Sequence, residues 1–246
     1  MKKYLVIGNP IEHSLSPKLH NHWIKKNNIE AIYEKRKIKE INIKEVISEL
    51  RNDEIYGINV TVPFKKSVIP YLDELSLEAN EAQSVNTIYK KKNKIIGHNT
   101  DISGFELAIR GKGYDIKNKK TLILGAGGVV SSIILSLKKM GVGQIILSNR
   151  TKKKSEDLKK IFSDIKLVDW EVIPDFDIII NATSIGLNKN DEIKLNYKDF
   201  GPNKLFYDVI YNPKQTKFLS KAKQFGNQTE NGKMMFIYQA HQSFTI

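Results

Sequence analysis

Thr121-Leu-Ile-Leu-Gly-Ala-Gly-Gly-Val-Val130, followed by an apolar segment and then Gln144-Ile-Ile-Leu-Ser-Asn-Arg-Thr151, decides how this chain folds. Leu122–Leu124 has the short, all-apolar character of a buried parallel strand. It runs into a turn with glycine at 125, 127 and 128. Ile133, Ile134, Leu137 and Met140 then recur at helical spacing, Gly141 and Gly143 stop the helix, and Ile145–Leu147 reads as the next strand. Strand, glycine turn, helix and strand make a βαβ unit whose turn sets a dinucleotide's pyrophosphate on a helix N-terminus. A purely structural turn also needs glycine, and Gly125-x-Gly127-x-x-Val130 carries valine where the third small residue of the fingerprint stands. The flanking strands favour the binding reading.

The end of the second strand indicates which dinucleotide. An Asp or Glu about 20 residues beyond the glycines would hold a ribose 2′-hydroxyl. This chain has Ser148-Asn149-Arg150-Thr151-Lys152-Lys153-Lys154 there, and its first acids, Glu156 and Asp157, come only in the following helix. A guanidinium offers paired planar donors to a phosphate and the lysines add positive charge, so the segment suits NADP rather than NAD. A solvated basic helix start accounts for the lysines but less readily for Asn-Arg-Thr at a strand end.

The 246 residues suffice for one large or two modest domains, with 27% charged and 40% hydrophobic residues, an ordinary globular balance. With no cysteine, disulfides, thiolate nucleophiles and Cys-type zinc sites are excluded. Only a short apolar run follows Met1-Lys-Lys before Asn9-Pro10, too short for a signal peptide. Leu122–Leu137 is interrupted by the glycine turn and falls short of a membrane span. A cytoplasmic protein with no membrane role is expected. The net charge of +13 raises the question of nucleic acid. The basic residues are spread along the whole chain in runs such as Lys90–Lys94 and Lys117–Lys120, with no nucleic-acid motif beside them. Lysine bias and attraction of anionic ligands account for the charge better.

The rest of the chain alternates strand and helix, which makes the fold class α/β. Strands are expected at Tyr4–Gly8, Ala31–Ile38, Tyr56–Val62, Ser84–Tyr89 and Lys94–Gly97. Helices are expected from Ser16, as N-cap with Pro17 behind it, to about Lys26, and at Ile43–Arg51, Lys66–Leu72, Leu77–Ala82 and Gly104–Gly111. Beyond the glycine turn, helices at Ser155–Phe162, Pro213–Phe225 and Lys233–Phe244 and strands at Phe176–Asn181 and Leu205–Val209 are expected. The economical arrangement is two lobes with a cleft between them. Residues 1–101 form an N-terminal α/β domain, residues 102–232 a Rossmann-type domain, and the C-terminal helix 233–246 returns to the first lobe.

Polar residues stand where strand and loop ends expose them: Ser14-Leu-Ser-Pro17, Asn59-Val-Thr-Val-Pro-Phe-Lys65, Ser84-Val-Asn-Thr87, Gly97-His-Asn-Thr-Asp101, Asn181-Ala-Thr-Ser184 and Gln239-Ala240. Singly, each reads as turn chemistry. Together with Gly125-Ala-Gly-Gly128 and Asn149-Arg-Thr151, in this order, they resemble the shikimate dehydrogenase family over essentially the whole chain, Tyr4 to about Phe244.

The resemblance implies reversible oxidation of shikimate at its C3 hydroxyl to 3-dehydroshikimate, with the hydride passing to NADP. It places Lys65 and Asp101 as catalytic residues flanking that hydroxyl. Removing hydride from an alcohol leaves a proton on oxygen, and a positioned group must take it and return it in reverse. A lysine serves as a base near neutrality only when its surroundings disfavour the ammonium, and a neighbouring carboxylate does the opposite. Lys65 is therefore expected to be the acid–base group and Asp101 to orient it and the hydroxyl. Ser14 and Ser16 match partners of the substrate carboxylate, and Asn59, Thr61, Asn86, Asp101, Tyr211 and Gln239 other substrate contacts. Gly125, Ala126, Gly127, Gly128 and Val129 match the pyrophosphate cradle. Asn149, Arg150, Thr151, Lys152, Lys153 and Lys154 match the adenosine-phosphate side. Val209 and Gly232, with Tyr211, match the nicotinamide end. Monomer or homodimer is expected.

Three departures stand out. Val129 and Val130 replace small residues, Lys154 stands where arginine is usual, and the chain stops at Ile246, so the last helix is expected to be truncated. His20 and His22 lie two apart on a helix and diverge. His13 and His98 fit no ligand pattern, and no metal is expected because the nicotinamide carries the chemistry. A quinate/shikimate enzyme with relaxed cofactor choice and a catalytically silent ligand-binding relative are the competing readings.

Overall fold

A computed structural model describes residues 1–188 and 190–246. The chain divides into two compact units, Met1–Gly104 with Ile237–Ile246, and Phe105–Phe236.

In the first unit the strands β1 (Lys2–Gly8), β2 (Ala31–Lys37), β3 (Gly57–Val60), β4 (Glu74–Leu75), β5 (Thr87–Lys91) and β6 (Lys94–His98) make one six-stranded sheet in the order β2-β1-β3-β5-β6-β4. β1 pairs parallel with β2 and β3, while β5 pairs antiparallel with both β3 and β6. The helices are α1 (Ser16–Lys26), α2 (Ile43–Arg51) and α3 (Leu77–Ala82). α2 buries Ile43, Val46, Ile47 and Leu50 as its period predicts, against Leu5, Ile7, Ile58 and Ile88 of the sheet. α4 (Asp101–Arg110) leaves this unit and enters the second.

The second unit contains β7 (Lys120–Leu124), α5 (Val130–Lys139), β8 (Gln144–Ser148), α6 (Lys152–Ile161), β9 (Lys166–Val168), β10 (Ile178–Asn181), β11 (Leu205–Asp208), α7 (Lys217–Gln224) and β12 (Gln228–Asn231). Its six strands are all parallel, in the order β12-β11-β10-β7-β8-β9. This is the doubly wound 3-2-1-4-5-6 order, in which the chain reverses direction across the sheet between β7 and β10 and leaves a ligand site at their C-terminal ends. Leu122, Ile123, Ile146, Ile179 and Phe206 are essentially inaccessible, as central parallel strands covered on both faces must be. The last helix, α8 (Lys233–Thr245), begins in the second unit and ends in the first.

Several boundaries differ from the sequence reading. No α-helix spans Lys66–Leu72; turns and one 3-10 turn at Ile69–Tyr71 stand there instead. Pro70 has no amide proton, so an α-helical hydrogen-bond ladder cannot run through it. Ser16 is the first helical residue rather than the cap. Leu15 occupies the cap position without a side-chain bond. α7 starts at Lys217 because Thr216, not Pro213, caps it by accepting from the Leu219 amide. α4 starts at Asp101 rather than Gly104, since the Asn99 carboxamide oxygen accepts from the amides of Asp101 and Ile102 at 3.0 and 3.3 Å.

Candidate active site

In the first unit, Thr61–Val68 leaves β3 as a chain of tight turns. The Phe64 amide donates to the Thr61 carbonyl and the Val68 amide to that of Phe64. This coil turns the Lys65 side chain inward, while Lys66 stays exposed. Lys65 Nζ lies 2.5 Å from Asp101 Oδ2, with side-chain exposures of 10% and 7%. Asp101 occupies the first turn of α4, where helix amides and dipole favour a carboxylate. An ion pair this buried survives only with its remaining hydrogen bonds satisfied by the surroundings.

Thr100, the chain neighbour of Asp101, is tied in turn to other motif residues. Asn86 is buried, and its Nδ2 donates to Thr100 Oγ1 at 2.9 Å and to Gln239 Oε1 at 3.3 Å. Its Oδ1 accepts from the Thr100 amide at 2.9 Å. Asn86, Thr100 and Gln239 of α8 are thereby one hydrogen-bonded group, which adjoins the Lys65–Asp101 pair through the Thr100–Asp101 chain link. Gly104 makes the helix approach possible: a Cβ there would stand 2.7 Å from Gln239 Cβ. Asn59 is half-buried and bonded to Tyr33, Asn86, Thr87 and Ser243.

Ser14, Ser16 and Thr61 are half-buried at loop ends. Ser14 Oγ accepts from the Ser16 amide at 3.3 Å, and among the described residues the Ser16 and Thr61 hydroxyls take no hydrogen-bond partner. The loop before Ser14 is tied to β2 by Glu12, whose carboxylate accepts from Lys37 at 2.7 Å and from the Ile11 amide at 2.9 Å. The Lys37 ammonium, with the backbone amides of Glu12 and Ile11, holds the Glu12 carboxyl down at about 2.

In the second unit, Gly125 follows β7 with φ +110°, and a Cβ there would meet the Ala182 carbonyl oxygen at 2.8 Å. Only glycine fits between the ends of β7 and β10. Gly127 is different: it is exposed, and the nearest atom to an added Cβ is the Ala182 oxygen at 3.9 Å. The space before Gly127 is open, and α5 begins just beyond it with no side-chain cap and no acid in its first turn. An uncapped helix start behind an open glycine turn is the chemistry an anionic group needs. Ala126 and Val129 stand half-exposed along the same turn.

Asn149 Nδ2 donates to the Thr151 carbonyl at 2.8 Å, shaping the strand end. α6 then opens on Lys152, Lys153 and Lys154 with no side-chain cap and no acid in its first turn. Cations at a helix N-terminus oppose the dipole, a local conflict that a bound phosphate relieves. Lys153 pairs with Asp157 at 3.3 Å, while Arg150, Lys152 and Lys154 are exposed and outside any ion pair among the described residues.

At the other end of the sheet, the register pairs Asn181 with Asp208. Asp208 Oδ1 accepts from Asn181 Nδ2 and from the Ile210 amide, each at 3.0 Å, and Oδ2 accepts from Thr216 Oγ1 at 2.6 Å. Burial pushes the Asp208 carboxyl up to about 6, against the pull of those three donors. This hub fixes the start of the 209–216 loop. Gly232 packs under it so closely that a Cβ would lie 2.1 Å from the Val209 oxygen, and Tyr211 stacks on Phe236 at 4.6 Å. Asp208, Thr216, Asn99, Thr100, Tyr33, Gln242 and Ser243 are absent from the sequence-derived site. Asn99 and Thr100 stand inside the Gly97–Asp101 motif without a role; Asp208 is signalled by its place at the end of a buried strand, and Gln242 and Ser243 by lying about one helical turn from Gln239.

A parallel sheet of this order, with an open glycine turn at its switch point and a basic helix start after β8, together with a separate α/β unit holding a buried Lys–Asp pair, defines a two-unit pyridine-nucleotide dehydrogenase. Family models describe residues 6–88 as "Shikimate dehydrogenase substrate binding domain" and residues 106–208 as "Shikimate / quinate 5-dehydrogenase". The chain is 59% identical over 245 residues to the shikimate dehydrogenase (NADP(+)) of Pelagibacter ubique, covering 100% of this chain and 92% of that relative. The crystal structure of shikimate dehydrogenase from Aquifex aeolicus superposes with TM-score 0.92 at 36% identity, over 100% of this chain and 91% of that one. The Thermus thermophilus shikimate 5-dehydrogenase, solved in complex with NADP(H) and shikimate, gives 0.89 at 29% identity, over 99% and 92%. The chain belongs to the shikimate dehydrogenase family. Among the described residues no helix is long and apolar enough to cross a membrane, and no cluster of His, Cys, Asp and Glu fits a metal ion.

Proposed function

We propose that this chain interconverts shikimate and 3-dehydroshikimate with NADP(H), and that Lys65 moves the hydroxyl proton. The buried Lys65–Asp101 pair carries the reading. NADP(H), held at the glycine turn and the basic strand end of the second unit, would supply the hydride exchange at C3. In reduction Lys65 Nζ–H gives a proton to the C3 oxygen as hydride reaches C3 and the carbonyl becomes an alcohol; in oxidation the amine so left takes the hydroxyl proton back as the C3–H bond breaks. Asp101 fixes the direction of the amine. Ser14 and Ser16 bind the substrate carboxylate by their hydroxyls, with Thr61, Asn86, Asp101 and Gln239 aligning the ring hydroxyls. Tyr211 is the second unit's proposed contact with the substrate.

For the dinucleotide, the amides of Gly125–Val129 cradle the pyrophosphate and the uncapped α5 start complements its charge. Asn149, Arg150, Thr151 and Lys152–Lys154 hold the 2′-phosphate and adjoining ribose, while Val209 and Gly232 form the wall at the nicotinamide end. The lack of cysteine accords with a cytoplasmic enzyme. The test is reduced-nicotinamide absorbance with shikimate or quinate, each with NADP or NAD. Turnover with shikimate and NADP well above the other three pairs supports the proposal. Preference for quinate or NAD, or no turnover with any pair, overturns it.

A further inference from the structure

Asn59 sits inside the strand motif that leads to Lys65, yet its nitrogen is fully taken. Nδ2 lies 2.7 Å from Ser243 Oγ, 3.1 Å from Thr87 Oγ1 and 3.1 Å from the Asn86 carbonyl. A carboxamide nitrogen has two protons to give, and here three acceptors surround it. Oδ1 accepts from the Tyr33 hydroxyl at 2.6 Å. Tyr33 is itself immobilised, with its ring buried and stacked on His20 at 4.1 Å.

Ser243 belongs to α8, one helical turn beyond Gln239 and on the same face. Three neighbouring contacts seat that turn. Gln242 meets the Ser103 hydroxyl, Phe244 packs 5.4 Å from Trp23, and Gln239 backs onto Gly104. Gln239 then reaches Asn86. A shift of the Ser243 turn would move Gln239 with it, because an α-helix transmits displacement along its axis as a rigid rod.

We propose that Asn59 and Ser243 are positioning residues, forming a latch between β3 and the C-terminal turn of α8 that sets where Gln239 stands beside Asn86. The inference rests on the reading of Gln239 as a substrate partner. Ser243→Ala is a clean probe. Asn59 Nδ2 keeps Thr87 Oγ1 and the Asn86 carbonyl as acceptors, so no buried donor is stranded and only the tether is lost.

The experiment is steady-state kinetics on the full chain, with thermal unfolding measured alongside. Ser243→Ala is expected to raise KM for shikimate roughly fivefold, the size of one neutral hydrogen bond, with kcat and the KM for NADP within about twofold and Ser243→Thr restoring the wild-type KM. Gln239→Ala is expected to raise the shikimate KM further. The double variant should match Gln239→Ala alone, since the latch acts through that side chain. Additive KM effects in the double variant, or an unchanged KM in Ser243→Ala while Gln239→Ala raises it, overturn the latch. An unchanged shikimate KM in Gln239→Ala overturns the substrate reading on which the latch rests.

Discussion

Lys65 Nζ stands 2.5 Å from Asp101 Oδ2, and both side chains are almost wholly out of water. Removing either partner leaves the other buried without its counter-group. Asp101→Asn strands a buried ammonium, which costs about 3–5 kcal/mol in comparable pairs. The variant is expected to lose turnover and to melt well below the wild type. Kinetics and calorimetry on the same preparation check this, and a wild-type melting curve would show the pair to be solvated in solution.

The glycine turn separates folding from binding. Gly125→Ala forces an L side chain into φ +110° and within 2.8 Å of the Ala182 oxygen, so it should lower stability. Gly127→Ala meets nothing closer than 3.9 Å and should fold as the wild type does. The methyl would instead occupy the open space of the proposed pyrophosphate cradle. The KM for NADP is expected to rise at least tenfold at unchanged melting temperature, roughly the loss of one or two charge-assisted amide contacts. Equal stability losses in the two variants would contradict this division.

Arg150 is exposed and lies outside any ion pair among the described residues, ahead of a helix that opens on three lysines without a cap. Its replacement by alanine removes planar paired donors that the lysines cannot imitate. The preference for NADP over NAD should fall by roughly ten- to a hundredfold, the range of a charge-assisted contact. The two KM values measured side by side decide it; a preference as strong as before would refute the reading of the strand end.

His20 links pH to stability. Burial against Tyr33 and Trp23 pushes its imidazole from 6.5 down to about 4. The unfolded chain therefore binds the proton first as pH falls. The contribution of neutral His20 is complete above about pH 6.5 and is lost on going down through pH 4, up to about 3 kcal/mol in all. His20→Phe keeps the aromatic packing without the proton. Between pH 7 and pH 4.5 the wild type should lose more melting temperature than this variant, and parallel curves would show that His20 is hydrated in the folded state.

How far the sequence reached is seen in individual residues. The βαβ unit was legible because Leu122–Leu124 and Ile145–Leu147 are buried on both faces and the glycines punctuate them. α2 and α3 were legible to the residue, α2 from an unbroken apolar period. The strands Glu74–Leu75, Lys166–Val168 and Gln228–Asn231 were not, because two to four residues carry no period. In the site, Lys65 and Asp101 were found through their motifs. Asp208 and Ser243 were not, because their partners are distant in sequence: Asp208 meets Asn181 only by strand register, and Ser243 meets Asn59 only when α8 comes back to the first sheet.

The most direct test of the account is Lys65→Ala, with turnover measured against shikimate affinity. Loss of a positioned acid–base group should reduce kcat by roughly 10²–10⁴-fold, while the dissociation constant for shikimate changes only a few-fold. Turnover and affinity falling together, or a variant that still turns over at the wild-type rate, would contradict the assignment of proton transfer to Lys65.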